Sequence, residues 1–104
     1  MGEDAGVVTI SSNGSVTVPV EVRDVLGIKG EEALVRLPHV EVAKKSDGGQ
    51  SDRVESAGVV KMSEDGVVVI PVEIRELLDI NEKKAYLRLK DISVGKKLTN
   101  GGET

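Results

Sequence analysis

Residues 5–45 and 57–97 align without a gap, each number in the second stretch being 52 above its counterpart, and roughly 19 of the 41 aligned positions are identical. Any fold open to this chain must therefore accommodate two near-copies of one supersecondary unit. The repeat is clearest where Ser15-Val16-Thr17-Val18-Pro19-Val20-Glu21-Val22-Arg23-Asp24-Val25-Leu26-Gly27-Ile28 recurs as Val67-Val68-Val69-Ile70-Pro71-Val72-Glu73-Ile74-Arg75-Glu76-Leu77-Leu78-Asp79-Ile80. In both copies a β-branched run ends at a proline, whose fixed φ and missing N–H close a central strand and suit the start of a helix. Beyond it Val22, Val25 and Leu26, with Ile74, Leu77 and Leu78 in the second copy, recur at helical spacing. That spacing predicts a short amphipathic helix after each strand. Gly27 suits a left-handed helix end, and Asp79 must fill the same place less comfortably.

The flanking residues complete each unit. Val7 to Ile10 reads as a first strand, Asn13-Gly14 as a hairpin turn repeated at Asp65-Gly66, and Glu32 to Leu37 and Val40 to Val42 as two further strands. The second unit restarts at Ala57 with strands over Val59 to Met62, Val67 to Ile70, Ala85 to Leu89 and Ile92 to Val94. Between the units, residues 46–56 have the small, polar, glycine-containing composition of a flexible linker, and the tail 98–104 is expected to be disordered. A half of about 45 residues buries too little surface to stand alone, so residues 1–104 are expected to form one domain. The predicted fold is mostly β with two short helices: a pseudo-two-fold barrel of two ββαββ repeats in which each half supplies strands to the other. A double-psi-like barrel is the alternative architecture.

Phe, Trp and Cys are absent, Tyr86 is the lone aromatic and His39 the lone histidine. The core must then be built from Val, Ile and Leu, which favours strands. Zinc sites, disulfides and histidine-based catalysis lack their residues, so neither an enzyme nor a bound metal or cofactor is expected. No apolar run approaches the roughly 20 residues a membrane span needs, and Met1 to Gly6 lacks the features of a signal peptide. A cytoplasmic protein without membrane contact is the expectation.

Taken together, Gly58-Val59-Val60-Lys61, the turn at Asp65-Gly66, Val68-Val69-Ile70-Pro71, Glu73-x-Arg75 and Leu78-x-Ile80, found twice in register, resemble the AbrB family, which includes the SpoVT-AbrB domains and MazE-type antitoxins. Members are usually a single unit that dimerises as a swapped-hairpin barrel and binds DNA. The resemblance implies a DNA-binding transcriptional regulator in which one chain plays both protomers, a monomeric pseudo-dimer open to further association. DNA-binding relatives carry a basic residue at the end of the first strand, an arginine after the turn glycine, and one or two arginines early in the helix. Lys61 and Arg75 match in the second unit, while Val67 and Glu76 depart; in the first unit Arg23 matches, and Thr9, Ser15 and Asp24 depart.

Charge divides the halves. The chain is −4 overall; residues 1–52 carry nine acids against five bases, and residues 53–104 nine against nine. A protein held to phosphates leaves a basic footprint, and here Lys61, Arg75, Lys83, Lys84, Arg88 and Lys90 are expected to gather it on the second unit, against the thinner set Arg23, Lys29 and Arg36. The candidate DNA contacts are accordingly Lys61, Arg75, Arg23, Lys83, Lys84 and Arg88. Each has a plainer reading: Arg23 and Arg75 as salt bridges to acids of their own helices, and Lys44-Lys45 and Lys96-Lys97 as solvated strand ends. Glu31-Glu32 opposes Lys83-Lys84 in sign at equivalent positions, a candidate cross-barrel pairing. The missing arginines favour a second function, a protein-binding module such as an antitoxin covering a toxin, or an adaptor that has lost the DNA face.

Overall fold

The computed structural model describes residues 2–45 and 53–98. The first unit runs β1 (Gly6–Ile10), β2 (Ser15–Thr17), α1 (Val20–Val25), β3 (Ala33–Leu37) and β4 (His39–Lys45). After it come β5 (Val54–Glu55) and the second unit, β6 (Gly58–Met62), β7 (Val67–Val69), α2 (Val72–Leu77), β8 (Ala85–Lys90) and β9 (Ser93–Lys97). Of the expected linker, residues 46–52 lie outside the described residues, and its end is not loop: Val54 and Glu55 pair with Glu41 and Val40 of β4. In the tail only Leu98 is described, and its N–H donates to the Glu32 carbonyl at 2.9 Å.

Alternation builds the strands. Val8 and Ile10 point inward from β1 while Val7 and Thr9 point out, and Val60 and Met62 repeat this on β6. In each hairpin turn the glycine alone takes the left-handed φ, +91° at Gly14 and +88° at Gly66, with Asn13 and Asp65 remaining at negative φ. At the strand-to-helix junction each proline caps the helix rather than occupying its first turn: Pro19 has φ −57° and ψ 145°, Pro71 −57° and 146°. Both helices end in a Schellman arrangement. Ile28 N–H bonds the Arg23 carbonyl and Gly27 N–H that of Asp24, both at 3.0 Å; Ile80 and Asp79 repeat the pair. Asp79 takes the expected left-handed φ of +60° and Gly27 one of +77°. Ile28 and Ile80, just beyond, are buried.

The helices are only six residues long, and one predicted face is narrower than the spacing implied. Val22, Leu26 and Ile74 pack partly against the core and Leu78 is fully buried, but Val25 and Leu77 stay 67% and 46% exposed. A helix of less than two turns offers the barrel a single i, i+4 line, and the i+3 position swings out.

Among the described residues, five of the seven strand ladders join one unit to the other: β1–β8, β2–β7, β3–β6, β3–β9 and β4–β8. All are antiparallel. They form a six-stranded sheet, β5-β4-β8-β1-β2-β7, and a three-stranded sheet, β6-β3-β9, and β6 lies beside β7 so that the two curl into a half-barrel around the core. The pseudo-two-fold axis runs through the β2–β7 ladder, where Val16 faces Val68. Even the irregularities are duplicated. One extra residue, Ala43 in β4 and Gly95 in β9, shifts the register at equivalent places, and the β5 pairing to Val40 is matched by a bridge from Glu3 to Ile92. The core holds Val, Ile, Leu, Ala and Met62, with no buried polar or charged residue among those described.

Candidate nucleic-acid interface

Arg23 and Arg75 do something that their helices alone do not suggest. Each reaches back along its own chain, Arg23 Nε donating to the Val18 carbonyl at 3.0 Å and Arg75 Nε to that of Ile70 at 2.9 Å. Each also lies against the turn glycine of the other unit. A Cβ on Gly14 would sit 2.7 Å from Arg75 Nε and Cζ, and one on Gly66 would sit 2.5 Å from Arg23 Nε. The same turns are tied across the axis by backbone: Val18 N–H donates to the Gly66 carbonyl at 2.9 Å and Ile70 N–H to that of Gly14 at 3.0 Å. The glycines thus serve two ends, positive φ and room for a guanidinium. Neither arginine pairs with an acid of its own helix. Arg23 uses Nε alone, whereas Arg75 also donates Nη1 to Asn81 Oδ1 at 3.3 Å; Lys29 occupies the equivalent of Asn81 and offers no acceptor.

The other candidates do not form one face. Lys61 projects from β6 in the three-stranded sheet, Arg88 and Lys90 from β8 in the six-stranded one, and Lys83 and Lys84 lie in the loop between α2 and β8. Interleaving is the cause, since β6 pairs with β3 of the first unit and β8 with β1 and β4. Lys83 sits 3.9 Å from Asp79 on its own loop, and Glu31 pairs with Lys97 at 3.8 Å.

On the outer face of β4-β8-β1 the charges are largely compensated. Glu41 stands opposite Arg88 in the ladder, with 3.6 Å between Oε2 and Nη1, and accepts from His39 Nε2 at 3.0 Å. The His39 hydrogen bond, helped by the charges of Lys90 and Arg88 and opposed by partial desolvation, holds the Glu41 carboxyl below its ordinary range. The outer face at the axis carries few charges: Ser15 faces Val69 and Thr17 faces Val67, with Val69 52% exposed.

The structure is similar in fold to the solution structure of PHS018 from Pyrococcus horikoshii, with a TM-score of 0.57 and 19% identity, over 94% of this chain and 99% of that one. At this identity the likeness concerns the fold. No family model matches the chain, and no curated protein sequence does so either. No helix among the described residues is long and apolar enough to cross a membrane.

Proposed function

We propose that the protein binds duplex DNA as a cytoplasmic regulator of transcription of the AbrB type, one chain supplying both halves of the pseudo-dimer. The observation that carries this reading is the crossed pair of arginines. Arg23 and Arg75 match the helix arginines that the resemblance assigns to DNA, and they stand one on each side of the axis, beside the two turns. With Nε already held, either guanidinium loses less side-chain freedom when its Nη groups meet a phosphate or a base edge. Few cations are placed this way and the chain is acidic overall, so affinity is weak and shallow in salt. With three or four phosphates neutralised, log K against log salt has a slope of about −3. Titrating labelled duplex at two low salt concentrations tests it, and no detectable binding at the lower one refutes it.

A second reading has its own observation. Val67 and Val69 present an apolar outer surface at the axis where the resemblance expects an arginine after the turn glycine. Such a surface suits a protein partner, as in an antitoxin or adaptor, and a protein inert toward DNA in that titration would act through it.

A further inference from the structure

The outer face of β6-β3-β9 differs from its pseudo-symmetric twin in two residues that set its charge, Lys61 and Ser93. Lys61 of β6 and Lys96 of β9 stand directly opposite Leu34 of β3, one on each side, and two residues along Arg36 stands between Val59 and Ser93. Arg36 is the counterpart of Arg88, Lys61 of Thr9, and Ser93 of Glu41. Where Glu41 pairs with Arg88 on one flank, the other has a serine, and Arg36 Nη1 instead donates to the Val94 carbonyl at 3.2 Å. Asp91 lies two residues before Ser93 and makes no ion pair with Arg36. Lys97, next to Lys96, is taken by Glu31. Lys61, Lys96 and Arg36 thus share one small face and none of them makes an ion pair among the described residues, while Glu32, which extends β3 two residues before Leu34, has a partner of its own.

We propose that this face, through Lys61, Lys96 and Arg36, takes the phosphate backbone of duplex DNA. The proposal rests on the DNA reading above and moves the weight of contact from the axis to one flank. Lysines on an edge strand also serve to prevent strand pairing, and β6 and β9 are both edges of this sheet, but that role does not call for the loss of the acid at Ser93. Neighbouring strands lie about 5 Å apart, so the two lysines flank β3 at roughly 10 Å, a span over which a duplex presents about six charges. A single strand is a poorer fit. Its binding rests on bases stacked on aromatic side chains, and Tyr86, counterpart of Leu34, lies on the opposite flank.

The test titrates labelled mixed-sequence duplex, and a single strand of equal length, against the full chain and three variants. In Arg36→Ser/Lys61→Thr/Lys96→Ser the salt slope should shrink by up to about 3 and binding should fall below detection, each lost phosphate contact being about eightfold at 0.1 M salt. Ser93→Glu, which installs the missing carboxylate, should weaken binding by about the same single-contact factor. Glu41→Ser, which releases Arg88 on the other flank, should strengthen it. The two change the net charge by one in opposite senses, which alone shifts affinity in opposite directions; a loss from Ser93→Glu well above the gain from Glu41→Ser is expected only if the flank cations bind, so a triple variant that fails to fold leaves the decision with that difference in size. A folded triple variant with unchanged affinity and slope, responses of equal size to Ser93→Glu and Glu41→Ser, or a preference for the single strand overturns the proposal and leaves DNA binding at the axis standing. A wild-type chain that binds no duplex overturns both.

Discussion

At the axis, Arg23 against Gly66 and Arg75 against Gly14 make matching contacts, and Gly14 and Gly66 share their φ to within a few degrees. On the flanks the copies part: Glu41 with Arg88 on one side, Ser93 with Arg36 on the other. The difference separates two kinds of constraint. A residue at the axis must fit its own unit and the opposite one at once, because each turn is packed by the other half's arginine. An outward residue on a flank meets only its strand neighbours and water, so charge there can change without disturbing the barrel. The linker adds one asymmetry of its own, Arg53 Nη1 donating to the Leu77 carbonyl at 2.7 Å at the end of α2.

The largest effect comes from separating the halves. Residues 1–50 or 53–104 expressed alone lose all five inter-unit ladders, so each should be unfolded or a homodimer by circular dichroism and sedimentation. A folded monomeric half at micromolar concentration would break the picture of mutual packing. If both halves dimerise, the two homodimers isolate the flank difference, the first carrying Glu41 on both flanks and the second Ser93 on both.

Next in size are Gly14→Ala and Gly66→Ala. Each places a Cβ at positive φ and into the opposite arginine, and should cost about 2–4 kcal/mol from strain and the displaced hydrogen bond. Equal losses in urea unfolding are expected of the two. A loss confined to one would mean that the axis is not symmetric in energy, whatever its geometry.

Asp79→Gly is the smallest. Gly27 is already relaxed at the first helix end, and giving the second the same residue should stabilise the protein by about 0.5–1 kcal/mol. The exposed pair with Lys83 subtracts little. A destabilised variant would show that the Asp79 side chain holds the loop in a way its counterpart does not need.

Much of this was legible along the chain. The repeat, the switch at Pro19 and Pro71, the left-handed helix end at Asp79 and the Val, Ile and Leu core are local properties, written in periodicity and in the few residues that tolerate special backbone angles. The mostly β fold with two short helices followed from them, since neither half could bury a core alone. The roles of Arg23 and Arg75 were not legible. Their partners are carbonyls five residues back and a glycine in the other unit, and no spacing within a helix announces a contact made across an axis. Nor was the grouping of charge. Counting by halves assigned the bases to the second unit, but ladders are formed between halves, so Arg36 of the first joins Lys61 and Lys96 of the second while Arg88 is carried away to Glu41. By itself the sequence determined which strand residues face inward, because that depends on a period of two along each strand. Which outward residues share a face was decided by tertiary structure alone, because strand neighbours are set by how the two units interleave.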